Sequence, residues 1–191
     1  MERSSYGVPM TLKYAALLRG INVSGHKKVP MAELRTVLGE LGHGDIATYL
    51  QSGNAVFSSD NDDEEALAAA LELAIERRFG FTVGCLVRSG SYLGAVADAC
   101  PFPAAELAGR QLHVTYFGQP VDAVRFAPVD AEKFLPEEFR LGDRALYLYA
   151  PDGLGRSKLA AALSRPALNK GLTATSRNWN TVAKLVEMTR V

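Results

Sequence analysis

The chain has 191 residues, with 48% hydrophobic and 22% charged side chains. That is enough for one large domain or two small ones around a real core. Lys and Arg balance Asp and Glu at 21 each, which argues against the broad basic field of a protein that coats nucleic acid. The balance is uneven along the chain. Residues 151–191 hold seven Lys/Arg against two Asp/Glu, a net of +5, whereas residues 61–150 hold eight against fourteen, a net of −6. No apolar run reaches the roughly 18 residues of a membrane span. The opening Met1–Met10 segment lacks the apolar stretch of a signal peptide. Residues 1–12 read as a flexible tail. Cys85 and Cys100 are the only cysteines, have no CxxC spacing and are separated from His26, His43 and His113. No metal site or disulfide framework is expected, and the reducing cytoplasm is the default compartment.

The elements follow in chain order. Residues 13–19 form an apolar strand, and a loop over 20–29 leads to Pro30, suited to a first helical turn. Met31, Leu34, Val37, Leu38 and Leu41 then recur at helical spacing, and Gly42 is a stop. Ile46–Leu50 and Asn54–Phe57 read as a hairpin around Ser52-Gly53. Asp60 or Asn61 can cap the next helix, whose apolar positions include Leu67, Leu71, Ile75 and Phe79, before a strand over 81–87. A helix over 89–100 ends at Pro101-Phe102-Pro103.

A second series then begins. Residues 112–117 are a strand, and 121–134 a weak helix or irregular crossover. Phe139–Leu141 and Ala145–Tyr149 form a hairpin around Gly142-Asp143. Residues 156–168 form a helix broken at Pro166, 172–175 a short strand, and 178–189 a final helix. The order βαββαβ thus occurs twice. This predicts an α+β protein of two ferredoxin-like subdomains, each an antiparallel sheet with helices on one face, plus a C-terminal helix. The expected boundaries are 13–88 and 110–191, with a helical connection over 89–109.

Polar and basic residues concentrate at the ends of these strands. The loop after the first strand holds Arg19, Gly20, Asn22, Ser24, Gly25, His26, Lys27 and Lys28. Glycines there permit a tight path and the lysines supply charge, but neither the Walker loop nor the GxGxxG fingerprint is present. Asn54 follows the hairpin turn. Arg156 and Lys158 sit in the first turn of a helix, where cations oppose the dipole and an anion would explain them. Arg177, Asn178, Trp179 and Asn180 come just before the last helix. Ser176 or Asn178 can cap that helix, and Trp179 is suited either to packing between the halves or to stacking. Only His26 lies in a setting suited to acid–base chemistry. Base stacking on an RNA-recognition sheet is disfavoured, since the first strand offers only Tyr14 and the third only Phe57.

Five segments carry a resemblance: Lys13–Val23, Lys27-Lys28-Val29-Pro30-Met31, Tyr49–Asn54, Gly155–Leu159 and Arg177-Asn178-Trp179-Asn180-Thr181. In this order they resemble the bacterial domain of unknown function family numbered 1697, from about residue 11 to the C-terminus. The resemblance implies two ferredoxin-like subdomains and no established activity, so no catalytic residue and no cofactor follow from it. Ser24 stands where the family pattern has glycine.

The leading expectation is a site between subdomains for a small anionic or phosphate-bearing ligand, a nucleotide or a nucleic-acid end. Arg19, Lys27, Lys28, Arg156, Lys158 and Arg177 would supply charge, Asn22, Asn54, Asn178 and Asn180 orientation, and Trp179 a stacking face. The first alternative is structural: the motifs lock the two subdomains together, and function lies with a protein partner or a homodimer. The second is an enzyme on an anionic substrate with His26 as its acid–base group.

Overall fold

The computed structural model describes residues 11–191. The expected tail therefore lies outside the described residues up to position 10, and Leu12 already opens the first strand. The elements are β1 (Leu12–Leu18), α1 (Met31–Glu40), β2 (Gly44–Tyr49), β3 (Asn54–Ser59), α2 (Glu64–Phe79), β4 (Cys85–Ser89) and α3 (Gly90–Asp98). After these come β5 (Leu112–Phe117), β6 (Glu138–Gly142), β7 (Ala145–Tyr149), α4 (Lys158–Leu163), α5 (Pro166–Asn169), β8 (Ala174–Asn178) and α6 (Trp179–Met188). The strands form two four-stranded antiparallel sheets with the same order, β2-β3-β1-β4 and β6-β7-β5-β8.

Strand alternation divides each sheet between two environments. Tyr14, Ala16 and Leu18 of β1 face α1 and α2, where Leu34, Leu38, Leu71 and Ile75 close the first cluster. The other face, Ala15 and Leu17, meets Val114 and Tyr116 of β5 in a central cluster that also takes Leu93 from α3 and Leu185 from α6. Helices therefore pack on both faces of the first sheet, not on one as expected. The reason is that α3 and α6 are apolar on the sides that meet and lodge between the halves. A third cluster covers the outer face of the second sheet, where Phe117, Leu146 and Leu148 meet Leu159 and Leu163 of α4.

Four boundaries differ from those expected. Asp63, not Asp60 or Asn61, caps α2, accepting from the backbone N–H groups of Glu65 and Ala66. The strand expected over 81–87 begins only at Cys85, and that expected over 172–175 runs over Ala174–Asn178. The helix expected over 156–168 starts only at Lys158, and its expected break at Pro166 is present, with Ser164 capping the first short helix and Pro166 starting the second. Between β5 and β6 the crossover is irregular, as expected. It consists of two 3-10 turns, Ala123–Phe126 and Ala131–Phe134. This crossover covers the second sheet less completely than α1 covers the first, and it leaves space on that face.

Candidate functional site

Four of the five polar segments are joined at the seam between the halves, near the end of β1, while the fourth, Gly155–Leu159, leads into α4. Asn22 clasps its own loop: its amide nitrogen donates to Val29 O (3.0 Å) and Gln51 O (2.7 Å), and its Oδ1 accepts from Val29 N (2.9 Å). The loop is tightly wound, with positive φ at Gly20, Asn22, Ser24, Gly25 and Lys27. Ser24, at φ 50°, occupies the left-handed conformation that a glycine in its place would adopt more readily. Lys27 donates to Thr82 O at 2.9 Å, while Lys28 and His26 are exposed. In the adjoining turn, Gly53 has φ 89°. A Cβ there would lie 2.8 Å from Leu18 Cβ and from Ile21 Cδ1, so only glycine fits.

Arg177 reaches this region from the other half. It lies on β8, opposite Val114 of β5, so its side chain points into the central cluster. The guanidinium donates to Asn54 Oδ1 (2.6 Å), Leu18 O (2.8 Å), Gly53 O (3.4 Å), Thr175 Oγ1 (2.7 Å) and Ser176 O (2.8 Å). Arg177 is only 8% exposed and Asn54 is fully buried. Burial lowers the Arg177 pKa to about 10, and the neighbouring Tyr116 and Cys85 act in the opposite direction. The group stays charged at neutral pH, and all five acceptors are neutral. The sequence pattern places Arg177 in a loop before the last helix; it is instead a strand residue facing inward. Asn54 completes the contact by donating to Tyr49 O and Ser52 Oγ.

The remaining residues of that segment are also engaged structurally. Asn178 caps α6, its Oδ1 accepting from Thr181 N at 3.0 Å. Trp179 is half-buried against the central cluster, and its backbone N–H donates to Gly109 O at 3.2 Å. Asn180 lies over Gly109, where a Cβ would come within 2.1 Å of its Oδ1. At the start of α4 the chain's own Glu137 meets the free backbone N–H groups. Its carboxylate accepts from the Ser157 hydroxyl, from Lys158 N (3.2 Å) and from Leu159 N (3.1 Å). Arg156 and Lys158 themselves are exposed.

Beside this lock, over the outer face of the second sheet, is a cavity of about 730 Å³. Its lining draws on two of the polar segments, Arg19 from the first and Gly155 and Ser157 from the fourth, and on Thr175 and Ser176 of β8, which directly precede the last. Thr115 and Ser176 are opposite each other on β5 and β8, and their hydroxyls are 2.5 Å apart on its floor. Phe117, Phe126, Leu146, Leu148 and Leu163 make apolar walls. The volume lies within the range of roughly 300–1,000 Å³ usual for small-molecule sites. Of the expected site residues only Arg19 lines this cavity. Lys27, Lys28, Asn22, Asn54, Arg156, Lys158, Arg177, Asn178, Trp179, Asn180 and His26 are not among its lining.

Sequence reasoning missed Thr115, a hydroxyl between Val114 and Tyr116 on β5. Ser176 reads as a candidate cap of the last helix but is a residue of β8. Glu137 belongs to an adjacent carboxylate pair, Glu137-Glu138, suited to solvation or capping, and it does cap a helix start, 20 residues away at Ser157. Among the described residues no group of three His, Cys, Asp or Glu side chains gathers as a metal site, and no helix is long and apolar enough to cross a membrane. Cys85 and Cys100 are free thiols, and burial pushes the Cys85 pKa up to about 12.

Residues 10–147 match the family described as protein of unknown function (DUF1697), and the chain belongs to that family. It is similar to a solved structure, the conserved bacterial protein SP0830 from Streptococcus pneumoniae, at 27% identity and a TM-score of 0.75. That match covers 94% of this chain and 99% of the other. Comparison with curated proteins gives no match.

Proposed function

We propose that this member of the DUF1697 family binds a small anionic ligand in the cavity over its second sheet, with Arg19 as the cation and the Thr115 and Ser176 hydroxyls as polar partners. The observation that carries the reading is convergence: residues from two separate polar segments, and from β8 just before a third, line one cavity of ligand size. Phosphate esters, nucleotides and nucleic-acid ends all belong to the class. Arg19 enters from the first half and the floor from the second, which supports a site at the seam. We also read each half as a ferredoxin-like unit, supported by the repeated strand order. The two free thiols fit a reducing, cytoplasmic setting.

A second reading has its own observation. The five hydrogen bonds of Arg177, three of them to the first half, support a structural role in which the motifs lock the halves together. The two roles divide the segments: Arg177, Asn54 and Asn22 hold the seam, and Arg19 and Ser176 face the cavity. Acid–base chemistry by His26 has no such support, because that side chain is exposed and outside the cavity lining.

Thermal unfolding with a panel of phosphate, nucleoside monophosphates, ATP and small carboxylates tests the binding reading. A ligand at about 100 times its Kd stabilises by about 2.7 kcal/mol. For a protein of this size that is a rise in Tm of roughly 5–10 °C. The rise should saturate and shrink in Arg19→Gln and in Ala161→Trp, which fills the mouth. An equal rise in wild type and both variants would place binding elsewhere.

A further inference from the structure

On the premise that the cavity binds an anion, its lining also specifies the rest of the ligand. Among the described residues, Arg19 is the one charged side chain in that lining. A single guanidinium can hold one carboxylate, sulfonate or phosphate head through paired hydrogen bonds. A polyphosphate would bring further charges into the cavity with no cation to meet them, and unpaired buried charge is strongly unfavourable. Most of the remaining lining is apolar, with Phe117, Phe126, Leu146, Leu148, Leu163 and Leu172 belonging to the third core cluster.

Comparison of the two halves points the same way. The strand orders are identical, so positions in the two sheets correspond. Ala16 lies opposite Val87 in the middle of the first sheet, and both are fully buried beneath α1 and α2. Thr115 lies opposite Ser176 at the matching place in the second, where Thr115 is half-buried and Ser176 exposed. A buried pair of small apolar residues has thus become an accessible pair of hydroxyls. The covering helix has also been replaced by two 3-10 turns. The polar floor is local and the space above it is walled by Phe and Leu.

We infer that the ligand is a monoanionic amphiphile: one acidic head at Arg19, reached by the Thr115 and Ser176 hydroxyls, and a hydrocarbon or aromatic body against the Phe and Leu walls. Burying that body supplies the affinity, and Arg19 sets the orientation.

The probe is 1-anilinonaphthalene-8-sulfonate, which has one sulfonate and an aromatic body, titrated into the folded wild-type protein. Its fluorescence should rise saturably with one site per chain. Decanoate should displace it, and decanol and ATP at equal concentration should compete at least tenfold more weakly. Arg19→Gln should weaken the probe about tenfold with decanol affinity unchanged, and Ala161→Trp should abolish binding while the far-UV circular dichroism stays that of wild type. Displacement by ATP or nucleoside monophosphates but not decanoate would overturn the amphiphile and leave the anion site standing. Equal displacement by decanol and decanoate would remove the anionic head. Undiminished binding to Ala161→Trp, or none to wild type by any of these compounds, would overturn both the amphiphile and the cavity reading.

Discussion

Arg177 is the residue on which the seam turns. Its planar fork meets acceptors on β1, on the Gly53 turn and on Asn54 at once, which a lysine ammonium has no geometry to copy. Removing it would strand Leu18 O and Asn54 Oδ1 in a dry interface, at about 1–3 kcal/mol for each unsatisfied group. Arg177→Met should therefore lose roughly 3 kcal/mol or more. In thermal unfolding this is a fall in Tm of about 6–12 °C. Arg177→Lys should recover little of it, whereas the exposed Arg19→Gln should stay within about 0.5 kcal/mol of wild type. Equal stability of Arg177→Met and wild type would sink the locking role. This residue was hard to place from sequence for a specific reason. Along β8, Thr175 and Arg177 are buried and Ser176 is exposed, a true period of two. All three are polar, so hydrophobic alternation carries no signal there.

Among the elements, α4 is the one that depends most on a distant side chain. Six residues are too few for a helix to stand alone in water. The Ser157 hydroxyl accepts from Ala160 N at 2.8 Å, and the Glu137 carboxylate meets the next two free N–H groups. Glu137→Gln keeps an acceptor but loses the charge facing the positive helix end, a loss of about 1–2 kcal/mol. Amide hydrogen exchange at Leu159–Ala162 should accelerate several-fold, with exchange in β1 and β3 unchanged. Unaltered exchange in α4 would show that packing alone holds it. Two cations at the start of α4 suggest an anion from sequence. That Glu137 takes the free N–H groups of this helix could not be read, because Glu137 and Ser157 meet only through the fold. By contrast α1 and α2 were legible at once, since their buried Leu, Val and Ile recur at helical spacing.

At the scale of the whole molecule, two sheets of identical order share a central cluster, and each buries its other face under its own helices. The duplication could be read from the repeated succession of strand and helix patterns. The asymmetry was legible only in part: residues 121–134 read as a weak helix or irregular crossover, and the two 3-10 turns that form there leave no periodic pattern to show how little of the second sheet they cover. That asymmetry is where the cavity forms, and Arg19 connects it to the tightly wound loop of the first half. The Arg177 contacts and the cavity are neighbours, one built from buried neutral acceptors and the other from accessible hydroxyls and an exposed cation. The most direct measurement is an amide NMR titration of the intact chain with 1-anilinonaphthalene-8-sulfonate and with decanoate. Shifts clustered at Thr115, Gly155, Ser164 and Ser176 are expected for both. Shifts confined to Gly20–Lys28 and Trp179–Asn180, with the cavity floor silent, would contradict ligand binding over the second sheet.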